Sequence, residues 1–146
     1  MKKAPLAVAV AAIAALAVAP AAMPREAAAP TLTVKSSAYG RVLFDGRGYV
    51  LYAFTRDGKG GSPCYGACAK AWPVYFAKGS LSVGAGVKRS LLGTTRRRDG
   101  RRQVTYAGRP LYYYVGDRKP GQILCQNVAE FGGTWLVVRP SGRLVH

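Results

Sequence analysis

The fold is decided by the stretch Leu-Tyr-Ala-Phe-Thr-Arg-Asp at residues 51–57, which recurs sixty residues later as Leu-Tyr-Tyr-Tyr-Val-Gly-Asp at residues 111–117. The similarity extends in both directions along the chain. Phe-Asp-Gly matches Tyr-Ala-Gly, and Ala-Trp-Pro-Val matches Thr-Trp-Leu-Val, at residues 44–46 with 106–108 and 71–74 with 134–137. Self-similarity of this kind is typical of a tandem duplication.

The two copies are expected to pack together. We place repeat 1 at residues 37–93 and repeat 2 at residues 94–146. Two copies are fewer than an open solenoid needs to bury its apolar faces. The sequence therefore predicts a single domain in which the two repeats pack against each other.

Glycine turns between runs of β-branched and aromatic residues predict a mainly β fold of antiparallel hairpins. In each repeat a short dipeptide, Asp45-Gly46 or Ala107-Gly108, separates two such runs. A further hairpin is predicted with its turn at Asp99-Gly100. No long helical period is present, so we expect only a short helical turn near residues 64–71. The predicted strands are residues 41–44, 49–54, 103–106, 111–115, 135–138 and 144–145, and the further hairpin covers residues 94–103.

The N-terminus is typical of a secretory signal peptide, which we place at residues 1–21. Two lysines precede an unbroken apolar run at residues 6–19. This run is too short to cross a bilayer as a helix, which needs about 20 residues. We expect cleavage before Ala22 and a flexible tether at residues 22–36, the alternative being an uncleaved anchor. Because no cysteine lies near the cleavage position, we expect an exported protein without a lipid anchor.

Composition argues against several classes of enzyme. The chain carries 22 Lys and Arg against 6 Asp and Glu, a net charge of +16, and its one histidine is the terminal His146. Without an internal histidine, a Ser-His-Asp or Cys-His catalytic set and a histidine-bound zinc are not expected. We predict a non-enzymatic protein. The positive charge favours anionic polymers or membranes, whereas export makes nucleic acid a poor partner.

Several spaced motifs resemble those of a known family. Both copies carry Tyr-x-aromatic-x-x-Asp, formed by Tyr52, Phe54 and Asp57 and by Tyr112, Tyr114 and Asp117. Together with Cys-Tyr-Gly-Ala-Cys-Ala-x-x-Trp-Pro at residues 64–73, the pattern resembles the bacterial "secreted repeat of unknown function" family, whose members are predicted lipoproteins with tandem Tyr-x4-Asp motifs. The resemblance implies export to the cell envelope and assigns no reaction. This chain departs from the family in its third cysteine, Cys125, and in lacking a lipid-attachment cysteine.

The repeated tyrosines and aspartates admit two main interpretations. In the first, the aromatic side chains fill the core and each aspartate fixes the following turn by bonding its own backbone. In the second, the Asp carboxylates and Tyr hydroxyls of both copies face a ligand in a symmetric cleft. A calcium loop is a further alternative, although the segment after Asp57 lacks the alternating carboxylates of an EF-hand.

The residues alone leave the pairing of the three cysteines open. The family pattern implies a disulfide between Cys64 and Cys68. The alternatives are a cross-repeat disulfide from either residue to Cys125, and a site in which three thiolates bind a metal or haem. No Cys-x-x-Cys or Cys-x-x-Cys-His motif supports the last of these. We predict no metal and no cofactor.

A dense basic stretch joins the two repeats, and its cations are Lys88, Arg89, Arg96, Arg97, Arg98, Arg101 and Arg102. Such charge can protect a hairpin edge from aggregation, or it can bind an anionic envelope polymer or anionic lipid headgroups. The sequence therefore predicts an exported cell-envelope or extracellular binding or structural module of open oligomeric state. The alternative is an exported redox, metal- or haem-associated protein that uses Cys and Tyr side chains.

Overall fold

The computed structural model describes residues 31–58 and 61–146. The predicted signal peptide at residues 1–21 and the part of the predicted tether at residues 22–30 lie outside the described residues. Within the described ranges, no helix is long and apolar enough to span a membrane.

The described residues form eight strands and one short α-helix. Strands β2 and β3 and helix α1 belong to repeat 1 as placed above, and β1 precedes it except for its last residue. A single 3-10 turn at Arg89–Leu91 leads into the strands of repeat 2. The bounds are β1 Leu32–Ser37, β2 Gly40–Asp45, β3 Tyr52–Phe54, α1 Ala67–Ala71, β4 Leu92–Arg96, β5 Arg102–Tyr106, β6 Arg109–Pro110, β7 Val128–Glu130 and β8 Gly133–Val137. The predictions of a mainly β fold and of a short helical turn near residues 64–71 are confirmed.

Antiparallel pairing connects the strands of the described chain into sheets β1-β2, β3-β8-β7 and β4-β5-β6. The middle sheet joins the two repeats, since β3 of repeat 1 pairs with β8 of repeat 2. At the centre of the molecule, Tyr52 and Tyr112 each donate a backbone hydrogen bond to the other's carbonyl at 2.9 Å. In this reciprocal pair, each repeat contributes the same motif position.

Strand β1 differs from the sequence expectation, which assigned residues 22–36 to a flexible tether. Leu32 is fully buried, and β1 pairs with β2 along its whole length from Leu32 opposite Asp45 to Ser37 opposite Gly40. The apolar side chains of Leu32 and Val34 alternate with polar ones, which suits a strand with one covered face. Pairing with β1 uses one edge of β2. The other edge keeps the hairpin predicted around Asp45-Gly46, because the amide of Asp45 donates to the carbonyl of Tyr49 at 2.8 Å and Phe44 forms an antiparallel bridge with Val50.

Backbone hydrogen bonds also correct the alignment of the repeats upstream of the motif. The amide of Leu51 donates to the carbonyl of Leu43, and its counterpart Leu111 donates to the carbonyl of Val104. Leu43 therefore corresponds to Val104, and two residues further along the strand Asp45 corresponds to Tyr106. The sequence match of Asp45 with Ala107 was wrong by one residue, because residue identity is weak there and only the hydrogen-bond register fixes the pairing.

Two clusters of buried residues form the interior. The aromatic core contains Phe44, Tyr52, Phe54, Trp72, Tyr112 and Trp135 together with the cysteines of repeat 1. The aliphatic core lies on the other side of the strands and is built from Leu32, Leu43, Leu51, Ala53, Val104, Tyr106, Leu111 and Val138. Successive residues of the motif point to opposite faces, so Tyr52 enters the first cluster and Ala53 the second.

Candidate functional site

The Tyr and Asp side chains of the motif bond across the repeats. The Tyr52 hydroxyl donates to Asp117 Oδ2 at 2.7 Å, and the Tyr112 hydroxyl donates to Asp57 Oδ1 at 3.1 Å while also contacting the Ser62 hydroxyl. Each repeat thus supplies the tyrosine for the other repeat's aspartate. The expected role of the aspartates in fixing the following turn holds only in part. Asp117 Oδ1 accepts from the backbone of Leu124 in that turn at 2.9 Å, but the other oxygen bonds across the repeats.

Burial dominates the electrostatics of these pairs. Loss of solvent raises the pKa of Asp57 to about 6, against the hydrogen bonds from Tyr112 and Ser62 and the attraction of Arg97. Burial likewise raises the pKa of Asp117 and the pKa values of Tyr52 and Tyr112, so both tyrosines remain hydrogen-bond donors near neutral pH. The other oxygen of Asp57, Oδ2, is buried without a hydrogen-bond partner among the described residues.

The remaining motif aromatics form a stack in which the repeats again alternate. Trp135 lies flat between Phe54 and Trp72, with ring centroids 4.1 and 4.0 Å away. Trp72 in turn contacts Tyr114 at 4.9 Å. Both indole N–H groups donate to Glu130, Trp72 to its carboxylate at 2.8 Å and Trp135 to its carbonyl at 3.3 Å.

This arrangement is a packed core rather than an open cleft. Tyr52, Tyr112 and both tryptophans have 0% of their surface exposed. A ligand therefore has no access to the two tyrosine hydroxyls, and the motif serves to hold the repeats together.

The structure contains the Cys64–Cys68 disulfide that the family resemblance implies, with the two Cα atoms 5.3 Å apart. Cys125 is half-buried and is not in a disulfide, and burial raises the pKa of its thiol. Neither the cross-repeat disulfide nor the three-thiolate arrangement is formed, because two of the three sulfurs are bonded to each other. The described part of the chain holds no group of three or more His, Cys, Asp or Glu residues placed to bind a metal.

Most of the basic stretch lies at the surface, and one residue differs from that expectation. Lys88, Arg89, Arg96, Arg98, Arg101 and Arg102 are exposed on or beside the β4–β5 hairpin. Arg97 is buried, because its guanidinium turns inward to donate to Gln103 Oε1 at 2.8 Å and to contact the Cys64 carbonyl. Arg97 therefore braces the disulfide loop and is not available to an external polymer.

Three surface cavities of the described chain adjoin one another around Phe76, which lines each of them. Their volumes are about 440, 410 and 340 Å³. We call them the Arg47 cavity, the Arg102 cavity and the Tyr65 cavity after a lining residue. The Arg101 guanidinium lies 3.8 Å from the centre of the Phe76 ring, and Arg98 lies 4.0 Å from the centre of the Tyr65 ring. The three cavities together form a groove lined by aromatic rings, and guanidinium groups stack on two of these rings.

Comparison with known protein families matches the family described as "Secreted repeat of unknown function" twice, at residues 33–75 and 93–139. These segments make up more than half of the chain. The chain belongs to this family. The family is described as secreted, and the chain is accordingly an exported protein. Comparison with curated proteins and with solved structures gives no match.

Within this secreted-repeat protein, the residues of the Arg47 cavity were missed by the sequence analysis. Arg47, Tyr75 and Phe76 lie outside the repeated motif and outside the basic stretch, and Tyr113 occupies a motif position at which any residue is allowed. A signal was present in the alignment of the repeats. Where repeat 2 has Tyr113, repeat 1 has Ala53. Positions at which two copies of one unit differ this strongly are candidates for a role that the shared fold does not require.

Proposed function

We propose that this protein is a non-enzymatic binding module of the cell envelope, and that its ligand is an anionic polymer held by the groove around Phe76. The observation that carries the proposal is the placement of Arg101. Its guanidinium stacks on Phe76 and is held in that position by Asp99, with an Nη2–Oδ2 distance of 2.7 Å. A cation fixed on an aromatic ring has lost part of its conformational freedom before the ligand arrives.

The charge around the groove supports the same function. Arg101 and Arg102 line one end, Arg47 and Lys78 line the other, and Arg98 covers Tyr65. The carboxylates among the described lining residues are Asp45 and Asp99, and each is paired with an arginine. The groove therefore presents an excess of positive charge along a path that an extended chain of phosphate or carboxylate groups can follow.

Binding of a synthetic glycerol-phosphate polymer tests this function, with neutral dextran as the uncharged comparison. We expect saturable binding to the charged polymer that weakens as salt is raised, because salt screens exposed charges. The double variant Arg101→Gln/Arg102→Gln is expected to lose about 10- to 30-fold in affinity, since each cation near a charged surface contributes roughly 1 kcal/mol.

The matched control is Arg139→Gln/Arg143→Gln, which removes the same charge from an exposed turn that lines none of the three cavities. This control is expected to change the affinity less than about threefold, through net charge alone. Equal losses in the two double variants would show that net charge and not the groove binds the polymer. Absence of binding at low salt would refute the function.

A further inference from the structure

The Arg47 cavity lies where the two repeats meet. Asp45 and Tyr75 come from repeat 1 and Tyr113 comes from repeat 2. The other polar residues of the lining are Thr31, Arg47 and Lys78. The Tyr113 and Tyr75 rings meet edge to face, with their centroids 5.2 Å apart. The cavity volume of about 440 Å³ falls within the usual range for small-molecule sites, roughly 300–1,000 Å³.

The duplicated fold provides an internal comparison for this cavity. By the hydrogen-bond register, the counterparts of Asp45, Tyr75 and Tyr113 in the other half are Tyr106, Val138 and Ala53. All three counterparts are buried in the aliphatic core. The same place in the fold is therefore filled by packed side chains in one half and open to solvent in the other, so the fold itself does not require a cavity there.

Asp45 holds other residues of the Arg47 cavity in place. Its side chain is nearly fully buried, and its Oδ1 accepts from the backbone amides of Arg47 and Tyr49 at 2.9 Å each. Oδ2 accepts from Arg47 Nε at 3.0 Å and from the Tyr113 hydroxyl at 2.9 Å. Both carboxylate oxygens of Asp45 are occupied by hydrogen bonds from the protein. Asp45 therefore orients Arg47 and Tyr113 and does not itself bind a ligand.

The orientation of Arg47 leaves Nη1 to bind a ligand, while Nη2 makes a long hydrogen bond of 3.5 Å to the Tyr113 hydroxyl. Nε points to Asp45, while 68% of the side chain remains exposed. The guanidinium carbon lies 5.9 Å from the centre of the Tyr113 ring, so cation and ring adjoin. Exposed Lys78 adds a second positive charge to the lining. A planar guanidinium with free N–H groups matches the geometry of a carboxylate or phosphate.

We propose that the Arg47 cavity binds a small anionic saccharide, with Arg47 and Lys78 on its carboxylate or phosphate and the tyrosine rings packed against the sugar ring. A flat aromatic side chain with a polar tip suits a ligand that has both apolar C–H faces and hydroxyls. This site lies at one end of the groove proposed above for the polymer and shares Arg47, Lys78 and Phe76 with it, whereas Arg101 and Arg102 line only the rest of the groove. A free sugar acid or sugar phosphate and the end of an envelope polymer share this chemistry.

Titration of the full chain with glucuronate and with glucose 6-phosphate, followed by NMR, tests the proposal. We expect saturable shifts for residues around the cavity. Glucose, which has the ring without the charge, and inorganic phosphate, which has the charge without the ring, are expected to bind at least about tenfold more weakly. Binding of phosphate as strong as that of glucose 6-phosphate would overturn the saccharide assignment, and so would the absence of saturable binding by both charged sugars.

Variants separate the site from a general charge effect. Arg47→Gln is expected to weaken binding about tenfold or more, whereas Arg109→Gln, an exposed arginine in the matching turn of repeat 2, should change it less than twofold. Tyr113→Ala copies the residue of repeat 1 and is expected to weaken binding about fivefold or more. If Arg47→Gln and Tyr113→Ala both fold and bind as tightly as the wild type, the proposal is wrong.

Two further comparisons identify the ligand source and keep the two proposals apart. Displacement of glucose 6-phosphate by a sugar-bearing glycerol-phosphate polymer would support the site and assign it to a polymer end, whereas binding without displacement would support it as a site for free sugars. Arg101→Gln/Arg102→Gln should keep the affinity for glucose 6-phosphate. Sugar binding without polymer binding would refute only the proposed function, and the reverse would refute only the saccharide site.

Discussion

Replacement of Asp57 by Asn is expected to stabilise the protein at neutral pH, although Asp57 belongs to the repeated motif. Its carboxylate is half-buried, Oδ2 has no hydrogen-bond partner among the described residues, and burial raises its pKa from 3.8 to about 6. The attraction of Arg97 only partly offsets the cost of burying the charged carboxylate. Asparagine keeps the acceptor for the Tyr112 hydroxyl and removes the buried charge.

The size of the effect follows from the shift in pKa. About two pKa units correspond to roughly 3 kcal/mol, and solvent screening of a half-buried group reduces this to about 1–2 kcal/mol. Because the pKa is raised in the folded state, this contribution to stability is fully present below pH 3.8 and is lost as the pH rises through about 6. Asp57→Asn should therefore match the wild type near pH 4 and exceed it by about 1–2 kcal/mol at pH 7.5.

Urea unfolding at both pH values measures the difference, and Asp117→Asn is the matched control. Asp117 accepts from both Tyr52 and the backbone of Leu124, and a single amide oxygen cannot replace both carboxylate oxygens. Asp117→Asn should therefore cost about 1–3 kcal/mol at pH 7.5. Replacement of the two motif aspartates by asparagine is thus predicted to change the free energy of unfolding in opposite directions. Destabilisation of similar size by both variants, or an Asp57→Asn protein whose stability depends on pH as the wild type's does, would refute this reasoning.

Three other predictions concern the core. Trp135→Ala should cost about 3–5 kcal/mol in urea unfolding, because the ring is fully buried between two others, and a loss below about 1 kcal/mol would contradict the stack. Gly133→Ala should cost about 1–3 kcal/mol, since its added methyl group would lie 2.5 Å from the Phe54 ring, and a thermal melt unchanged from the wild type would show that the ring yields freely. Cys64→Ser/Cys68→Ser should lower the free energy of unfolding by about 2 kcal/mol for so short a loop, and peptide mapping that joins either cysteine to Cys125 would contradict the pairing.

Local signals in the sequence account for much of the fold. Asp99-Gly100 lies between two β-forming runs and forms the turn that joins β4 to β5. The spacing of the motif predicts the duplication that the family match confirms. The sequence does not predict strand β1, because it follows an Ala- and Pro-rich stretch and no turn signal there indicates that β2 pairs along its second edge as well. Pairing of β1 with β2 depends on the burial of residues such as Leu32, and the tertiary fold decides which residues are buried.

The candidate sites required the three-dimensional arrangement. Alternation along the strand could not reveal that Tyr52 bonds the aspartate of the other repeat, since nothing in one copy specifies contact with the next. The inward turn of Arg97 was hidden among its basic neighbours, because its partner Gln103 becomes buried only when β5 pairs on both sides. The Arg47 cavity joins residues up to 82 positions apart, from Thr31 to Tyr113, and no local pattern in the sequence specifies that they meet.

The exchange of contacts between the repeats has a consequence for the ancestry of the chain. A single copy folded alone would leave its tyrosine and aspartate without partners and one face of its tryptophan in water. Two identical copies related by a two-fold axis would satisfy all of these groups, as symmetric homodimers do. Duplication and head-to-tail fusion of one gene would join two such subunits in a single chain, and the two halves could then differ in sequence, as they do at Ala53 and Tyr113. On this basis, fragments separated by cleavage between α1 and β4 should reassemble as a non-covalent pair.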